Sequence, residues 1–244
     1  LSIYERDTEL CDSLISKAIE SNRKALEKYA ADGAYPEGFG YWEYGTSYQA
    51  ILAAVMDSAT GNDGGISSSK GFMQSALWMN FMVAPSKMCY NFYDSHLKAS
   101  CIPAKYWFAR NLNAPELVTI DEQLLREQGV RSDRLLPLYM IWASGISLSG
   151  EAYPSQKVWV SGGDTPLYIY RSGWQKRDDT YFAIKGGRAA AEKFMKNLKL
   201  AAIETHVADA RTCCLHPASA THRQMSDAEL TAAGVSPDLV RFSC

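Results

Sequence analysis

One glycine-rich loop, residues 32–45, gathers aromatic rings and carboxylates of the kind that do chemistry. Glycine lets a ligand approach the backbone closely, and the faces of aromatic rings stack on sugars or bases. This composition therefore suits a carbohydrate ligand. The alternative is structural, because the same rings could simply close the end of a helical layer.

A second polar and aromatic group, residues 90–96, stands at the start of a predicted helix. Its Asn91 and Asp94 are ordinary turn and N-cap residues, which favours a structural role over ligand contact. Three of the four histidines, His206, His216 and His222, lie near the C-terminus without carboxylate partners, and the six cysteines show no paired spacing for zinc. No metal site is expected, and the cysteines are expected to be buried free thiols.

Helices and strands must position these residues. Over most of the first 150 residues, apolar residues recur at helical spacing, which predicts helices. Helices are predicted over residues 10–29, 46–59, 70–82, 95–110, 120–128 and 132–143. Short runs rich in Val, Ile, Tyr and Trp then predict antiparallel strands over 157–161, 167–171 and 180–185. After the double glycine at 186–187, we expect a helix over 188–206, a strand over 212–216, a capped helix over 226–233 and a strand over 239–243. The fold class is therefore α+β, with parts at 1–153, 154–187 and 188–244.

The charge balance excludes one class of partner. Lysine and arginine total 25 and aspartate and glutamate total 27, which gives a net charge of −2. Without a clustered basic face, a nucleic-acid partner is not expected. The apolar runs are far shorter than the ~20 residues that span a bilayer, so no membrane span is expected. The chain begins at Leu1 with a charged amphipathic segment instead of a signal peptide, which indicates a piece of something longer.

A Glu-Gly-x-x-Tyr motif at residues 37–41 resembles the heparinase II/III-type polysaccharide lyases, and the runs 90–95, 159–163 and 167–174 are similar to the same family. The resemblance covers residues 1–187. It implies an incomplete (α/α) toroid followed by the start of an antiparallel β-sandwich. It also implies cleavage of an acidic, uronic-acid-containing polysaccharide by β-elimination, with no cofactor.

The lyase resemblance implies roles for individual residues. Tyr41 would transfer the proton at the sugar, and its ordinary pKa of ~10 would require help from nearby cations or hydrogen bonds. Glu37 would orient Tyr41 or bind sugar hydroxyls. Ring stacking and sugar contacts are assigned to Tyr35, Trp42, Tyr44, Asn91 and Asp94.

Two parts of the lyase pattern are missing. An Asn/His pair is expected in a helix before Leu1, and a His-rich segment is expected after Gly187, where Arg188 and three alanines stand instead. Activity is therefore expected to be impaired, since the members of a catalytic unit fail together. A non-catalytic carbohydrate-binding remnant is an alternative. An incomplete toroid would also expose apolar helix faces and favour self-association.

The tail, residues 188–244, resembles a different family. Its His-Pro-Ala-Ser-x-Thr-His run at 216–222 and its Val-Arg-x-Ser run at 240–243 are similar to the C-terminal domain of Cys/Met-metabolism enzymes that use pyridoxal phosphate (PLP), of the O-acetylhomoserine sulfhydrylase type. In that family's pattern Arg241 holds the substrate α-carboxylate as a two-pronged donor, beside Ser219. PLP is expected only where the family's large domain is present.

A sulfhydrylase-like fragment is therefore the alternative function. Both families share an Ile-Lys-Gly-Gly run, here at residues 184–187, which suggests that two sequences are joined there. The lyase resemblance implies a periplasmic or secreted protein, and the tail implies a cytoplasmic one. The localisation therefore stays open.

Overall fold

The structure, a computed structural model, describes residues 6–29, 32–93, 95–130, 134–147, 152–162, 166–186, 192–193, 196–197, 202–203 and 213–243. The chain divides into two compact units. Unit 1 comprises residues 1–165 and 169–183, and unit 2 comprises residues 166–168 and 184–244. Most of the predicted parts 1–153 and 154–187 therefore fall in the same unit.

Helices of unit 1 bury their apolar faces in a core rich in aromatic rings. They are α1 (Thr8–Leu26), α2 (Gly38–Thr60), α3 (Ser75–Phe81), α4 (Pro103–Leu112), α5 (Thr119–Gln128) and α6 (Leu136–Ala143), with short 3-10 turns at Glu27–Tyr29 and Pro115–Val118. The ring centroid of Phe72 lies 5.1 Å from those of Tyr29 and Phe108, and the ring of Trp42 lies 5.9 Å from Phe108. These buried rings hold α2 and α4 against the segment that precedes α3.

Helix α2 begins at Gly38, eight residues before the predicted start at residue 46. Phe39, Trp42 and Thr46 are buried at helical spacing, so the core-facing stripe continues into the segment predicted as a loop. Gly38 has φ +79° at the first helical position. The sequence does not predict this part of α2 because the segment is rich in glycine, which is a weak helix former.

Helix α4 begins at Pro103, eight residues after the predicted start at residue 95. The preceding residue, Ile102, is extended at φ −110° and ψ 105°, which is the conformation that a following proline imposes. Proline also fits the first turn of a helix, where its missing N–H has no intrahelical partner. The predicted helix over 95–110 is therefore wrong in its first half.

The three strands predicted after residue 154 form one sheet. They are β1 (Val158–Ser161), β2 (Leu167–Arg171) and β3 (Tyr181–Lys185), in the order β1-β2-β3. Along β2 the side chains alternate between buried and exposed, as the two faces of a strand require. The expectation of an (α/α) toroid before this sheet stays a prediction.

Unit 2 contains a second sheet, of β4 (Ala202–Ile203), β5 (Cys213–Leu215) and β6 (Arg241–Ser243), and the helix α7 (Asp227–Ala232). Strand β4 pairs with β5 in parallel, and β5 pairs with β6 antiparallel. A capping box starts α7, because the Glu229 N–H donates to Ser226 Oγ at 3.3 Å and the Ser226 N–H donates to Glu229 Oε2 at 2.7 Å. Strand β4 stands where a helix over 188–206 was predicted, and most of that segment lies outside the described residues.

Large apolar side chains are exposed on several helices of unit 1, among them Leu10 and Leu14 on α1, Val55 on α2, and Met140 and Ile141 on α6. Self-association through such faces stays a prediction. In the described ranges, no helix is both long enough and apolar enough to cross a lipid bilayer.

Gly33 supports the first testable prediction. It has φ +87°, and a Cβ atom added there would lie 2.6 Å from the backbone nitrogen of Ser75 and 2.8 Å from the carbonyl carbon of Gln74. We expect Gly33→Ala to lower the free energy of unfolding by roughly 1–3 kcal/mol from backbone strain alone, and further from the collision. The measurement is urea denaturation followed by tryptophan fluorescence.

Gly61 provides the matched control. It has φ +69°, but a Cβ atom there would meet nothing within 4 Å. Gly61→Ala should therefore cost only the strain of a left-handed backbone, about 1–2 kcal/mol. All six tryptophans lie in unit 1, so their fluorescence reports on the unit that holds both glycines. Equal losses for the two variants would contradict the collision at Gly33.

Candidate functional site

The aromatic group of unit 1 lies at the start of α2. Tyr41 and Tyr44 are 42% and 59% exposed, whereas the Trp42 ring is fully buried against Phe108. The Tyr35 hydroxyl donates to Glu37 Oε2 at 3.3 Å. Burial and the charge of Glu37 raise the pKa of Tyr35 to about 12. Tyr41 and Tyr44 are therefore at the surface, whereas Trp42 belongs to the core. The ring of Trp42 packs against Phe108 instead of facing solvent.

Next to this group, the guanidinium of Arg134 lies 5.9 Å from the ring centroid of Tyr44 and 5.4 Å from that of Tyr48. These residues line a cavity of about 250 Å³ together with Gly40, Glu43, Ser47, Pro103 and Leu135. Glu43 Oε2 lies 3.7 Å from His96 Nε2. The Arg134 guanidinium therefore lies near the rings of Tyr44 and Tyr48. Tyr41 does not line this cavity.

The second polar group is described in part. Asn91 is exposed and lies outside the helices and strands, and Asp94 lies outside the described residues. The neighbouring Ser95 is buried, and its Oγ accepts a hydrogen bond from the Gly40 N–H at 3.0 Å. This contact ties the segment to the first turn of α2, which is the structural role expected for a turn.

The candidate site of unit 2 lies where β5 ends beside β6. Leu215, the last residue of β5, pairs with Arg241, the first residue of β6. Leu215 is buried, and the side chain of Arg241 lies outside the described part of the structure. The backbone of the predicted carboxylate-binding arginine therefore stands opposite the strand that leads into the 216–222 run.

His216 follows β5 directly and is only 1% exposed. Its Nε2 lies 2.9 Å from the carbonyl oxygen of Pro237, and its Nδ1 lies 2.8 Å from Ser219 Oγ. Because a carbonyl oxygen only accepts, we assign the proton to Nε2, and in the neutral ring Nδ1 then accepts from Ser219. The sequence predicts no metal or ligand role for His216, and its neighbours along the chain give no indication of the contact with Pro237.

In the turn after β5, several backbone N–H groups donate hydrogen bonds to carbonyls of the same turn. The N–H groups of Ser219 and Ala220 donate to the carbonyl of His216 at 3.2 and 3.1 Å, and the His222 N–H donates to the carbonyl of Pro217 at 2.9 Å. Ser219 itself is exposed, but its hydroxyl is engaged by His216. Among the residues with described positions, no group of three His, Cys, Asp or Glu side chains is placed to hold a metal ion.

The C-terminal part of the chain resembles one class of enzyme: residues 180–244 match the family model described as "Cys/Met metabolism PLP-dependent enzyme". The match begins seven residues before Gly187 and includes the whole of the β5–β6 pair.

Individual relatives agree with this family. The chain is 50% identical over 62 residues to O-acetyl-L-homoserine sulfhydrylase 1 of Thermus thermophilus, a match that covers 25% of this chain and 15% of the relative. It is 44% identical over 62 residues to the O-acetyl-L-homoserine sulfhydrylase of Leptospira meyeri, covering 25% and 14%. It is 40% identical over 62 residues to the L-methionine gamma-lyase of Fusobacterium nucleatum subsp. polymorphum, covering 25% and 16%. The chain thus spans about 15% of the length of these relatives.

The prediction of a polysaccharide lyase is wrong. The family model and the relatives show that the C-terminal part is similar to PLP-dependent enzymes of Cys/Met metabolism, and nothing in these comparisons supports a heparinase-like segment over residues 1–187. The roles given to Tyr41 and Glu37 in β-elimination, and the sugar contacts assigned around them, lose their basis. The resemblance of the tail to PLP-dependent enzymes is confirmed.

PLP carries a phosphate group, which needs several free N–H donors in a bound state. In the described part of unit 2, the N–H groups of Ser219, Ala220 and His222 donate within the 216–222 turn, and the capping box of α7 engages those of Ser226 and Glu229. The hydroxyl of Ser219 is engaged by His216. The described residues of unit 2 therefore do not fit PLP on their own.

Proposed function

We propose that unit 2 supplies the substrate-carboxylate arginine, Arg241, to a PLP-dependent enzyme that acts on an amino acid of the O-acetylhomoserine or methionine type. The observation that carries this proposal is the match of residues 180–244 to the Cys/Met-metabolism family, with 50% identity to a sulfhydrylase. The substrate class follows from the names of the relatives, which act on O-acetyl-L-homoserine or L-methionine.

The chemistry of arginine suits this role. A guanidinium presents parallel N–H donors in a planar fork, which matches the two oxygens of a carboxylate. The register Leu215↔Arg241 supports a fixed backbone position for this residue, because a paired strand holds its backbone in place. Since the described residues of unit 2 do not fit PLP, no step of the reaction is assigned to them beyond carboxylate binding.

A domain replacement tests the proposal. In the Thermus thermophilus sulfhydrylase, the matching C-terminal segment is replaced by residues 180–244 of this chain. We expect the hybrid to bind PLP and to convert O-acetyl-L-homoserine with sulfide. Arg241→Met in the hybrid should raise KM by roughly 10- to 100-fold, the effect of losing charged hydrogen bonds of about 1.5–3 kcal/mol.

Arg223 is the matched control, because it is an exposed arginine of the same unit. Arg223→Met should leave KM within about twofold of the parent hybrid, as expected for a surface substitution. A folded hybrid that binds PLP but has no activity contradicts the proposal. So does an Arg241→Met hybrid with an unchanged KM.

A further inference from the structure

His216 is a buried polar side chain that the proposed function does not yet use. It stands between two segments: β5, which it follows directly, and the loop over residues 234–240, which leads into β6. Its Nε2–H donates to the carbonyl of Pro237 at 2.9 Å, four residues before Arg241. A single side chain thus joins the end of one strand to the approach of its partner strand.

Two backbone hydrogen bonds of this loop are local or run to α7. The Leu239 N–H donates to the Ser236 carbonyl at 3.0 Å, and the Val235 N–H donates to the Leu230 carbonyl at 2.9 Å. These bonds shape the loop and fix its beginning on α7. The bond from His216 is the one of these three that ties the loop to the β5 side.

Burial and the bond to Ser219 fix the orientation of the His216 ring. His216 is 1% exposed, so water is not at hand to replace either ring partner. Ser219 Oγ bonds to Nδ1 at 2.8 Å, and this bond fixes the rotation of the ring that aims Nε2 at Pro237. A buried donor or acceptor left without its partner carries a free-energy cost, which favours the one arrangement in which both ring nitrogens are bonded.

A Ser–His pair also invites another interpretation, in which Ser219 is a nucleophile activated by His216. Such chemistry needs N–H donors aimed at the oxyanion that forms. The N–H groups of Ser219, Ala220 and His222 are used inside the turn, which leaves those amides unavailable for an oxyanion. The local geometry therefore favours a structural link over nucleophilic catalysis.

We infer that His216 is a positioning residue: its bond to the Pro237 carbonyl fixes the start of β6, and with it the backbone of Arg241, relative to β5. Leu215 pairs with Arg241 and is the direct neighbour of His216, so neighbouring residues of the β5 side hold both the first residue of β6 and the loop four residues before it. The effect of His216 on the binding of a substrate carboxylate rests on the proposed function of Arg241. The fixed position of β6 does not depend on that proposal.

Hydrogen exchange on the full chain tests the link. We expect His216→Leu to speed amide exchange in residues 235–243 by about tenfold, which corresponds to about 1.4 kcal/mol and lies within the range for the loss of one hydrogen bond. Exchange in α7 should change by less than twofold, because its capping box and helix bonds do not involve His216. His216→Gln retains a donor near the Nε2 position and should restore most of the protection. Ser219→Ala keeps the Nε2 bond and should have the smaller effect.

The two possible failures are distinguishable. A uniform loss of protection across unit 2, or unchanged exchange in residues 235–243, overturns the inference whatever Arg241 does. In the hybrid sulfhydrylase, His216→Leu should raise KM about 3- to 10-fold with kcat within twofold, and His216→Gln should return KM toward the parent value. Unchanged KM for His216→Leu, in a hybrid where Arg241→Met raises it, overturns the link between His216 and Arg241. Unchanged KM for Arg241→Met defeats the proposed function instead, and the exchange result still decides the position of β6.

Discussion

Lys105→Met should lower the free energy of unfolding of unit 1 by on the order of 3–5 kcal/mol, the usual cost of breaking a buried ion pair. Lys105 and Asp121 are 2% and 1% exposed, and the ammonium of Lys105 contacts both Asp121 Oδ2 and Asn80 Oδ1. Asp121 Oδ1 also accepts the Ile102 N–H at 2.9 Å. Without Lys105, the carboxylate of Asp121 would stay buried without the cation that contacts it.

The double variant Lys105→Met/Asp121→Asn separates charge from shape. It removes both charges and keeps an oxygen that can accept the Ile102 N–H, so it should be more stable than either single variant. Lys98→Met, at an exposed lysine, is the control and should change stability by less than about 0.5 kcal/mol. Urea denaturation followed by tryptophan fluorescence gives all four values. A double variant whose loss equals the sum of the single losses would show that the pair is not coupled.

Arg171→Met should have a loss of similar size, on the order of 3 kcal/mol or more. Arg171 lies on β2, is 2% exposed, and donates to three carbonyls, with Nε 3.1 Å from Gly173, Nη1 3.3 Å from Asn80 and Nη2 3.2 Å from Val83. Its guanidinium also lies 3.6 Å from the ring centroid of Trp174. Burial lowers the pKa of Arg171 to about 10, which still leaves the side chain charged at neutral pH.

The geometry predicts that charge alone will not rescue this site. Arg171→Lys keeps a cation, but an ammonium lacks the planar fork that reaches three carbonyls and stacks on an indole. We expect it to recover less than half of the lost stability. Arg177→Met, at an exposed arginine, should be close to neutral. Full recovery with lysine would show that the charge, and not the hydrogen-bond geometry, stabilises the site.

The sequence predicts the local elements better than the long-range contacts. The strands at 158–161, 167–171 and 181–185 and the helix at 119–128 lie close to their predicted ranges, because alternation and helical spacing are local properties. The start of α2 was missed because glycines interrupt its first turns. The first half of the helix predicted over 95–110 is wrong because Pro103 imposes an extended conformation on Ile102, and the helix begins only at the proline.

The sequence likewise does not predict the long-range partners of the buried polar residues. Lys105, Asp121 and Arg171 give no signal as buried charges, since each has hydrogen-bond partners that lie 16 to 91 residues away in the chain. His216 is separated from Pro237 by 21 residues. By contrast, Arg241 and Ser219 could be singled out from the sequence, because they belong to runs that resemble a family. The resemblance of the glycine-rich loop to lyases led to the wrong function because it rested on a short motif.

Asn80 takes part in both buried charge clusters of unit 1. Its side-chain oxygen accepts from Lys105, and its backbone carbonyl accepts from Arg171. A shift of this one residue therefore alters the surroundings of two cations at once, which makes the effects of substitutions at the two sites interdependent. During sequence divergence, the amino acids tolerated at position 105 will thus depend on which amino acid occupies position 171, although the two side chains belong to a helix and a strand far apart in the chain.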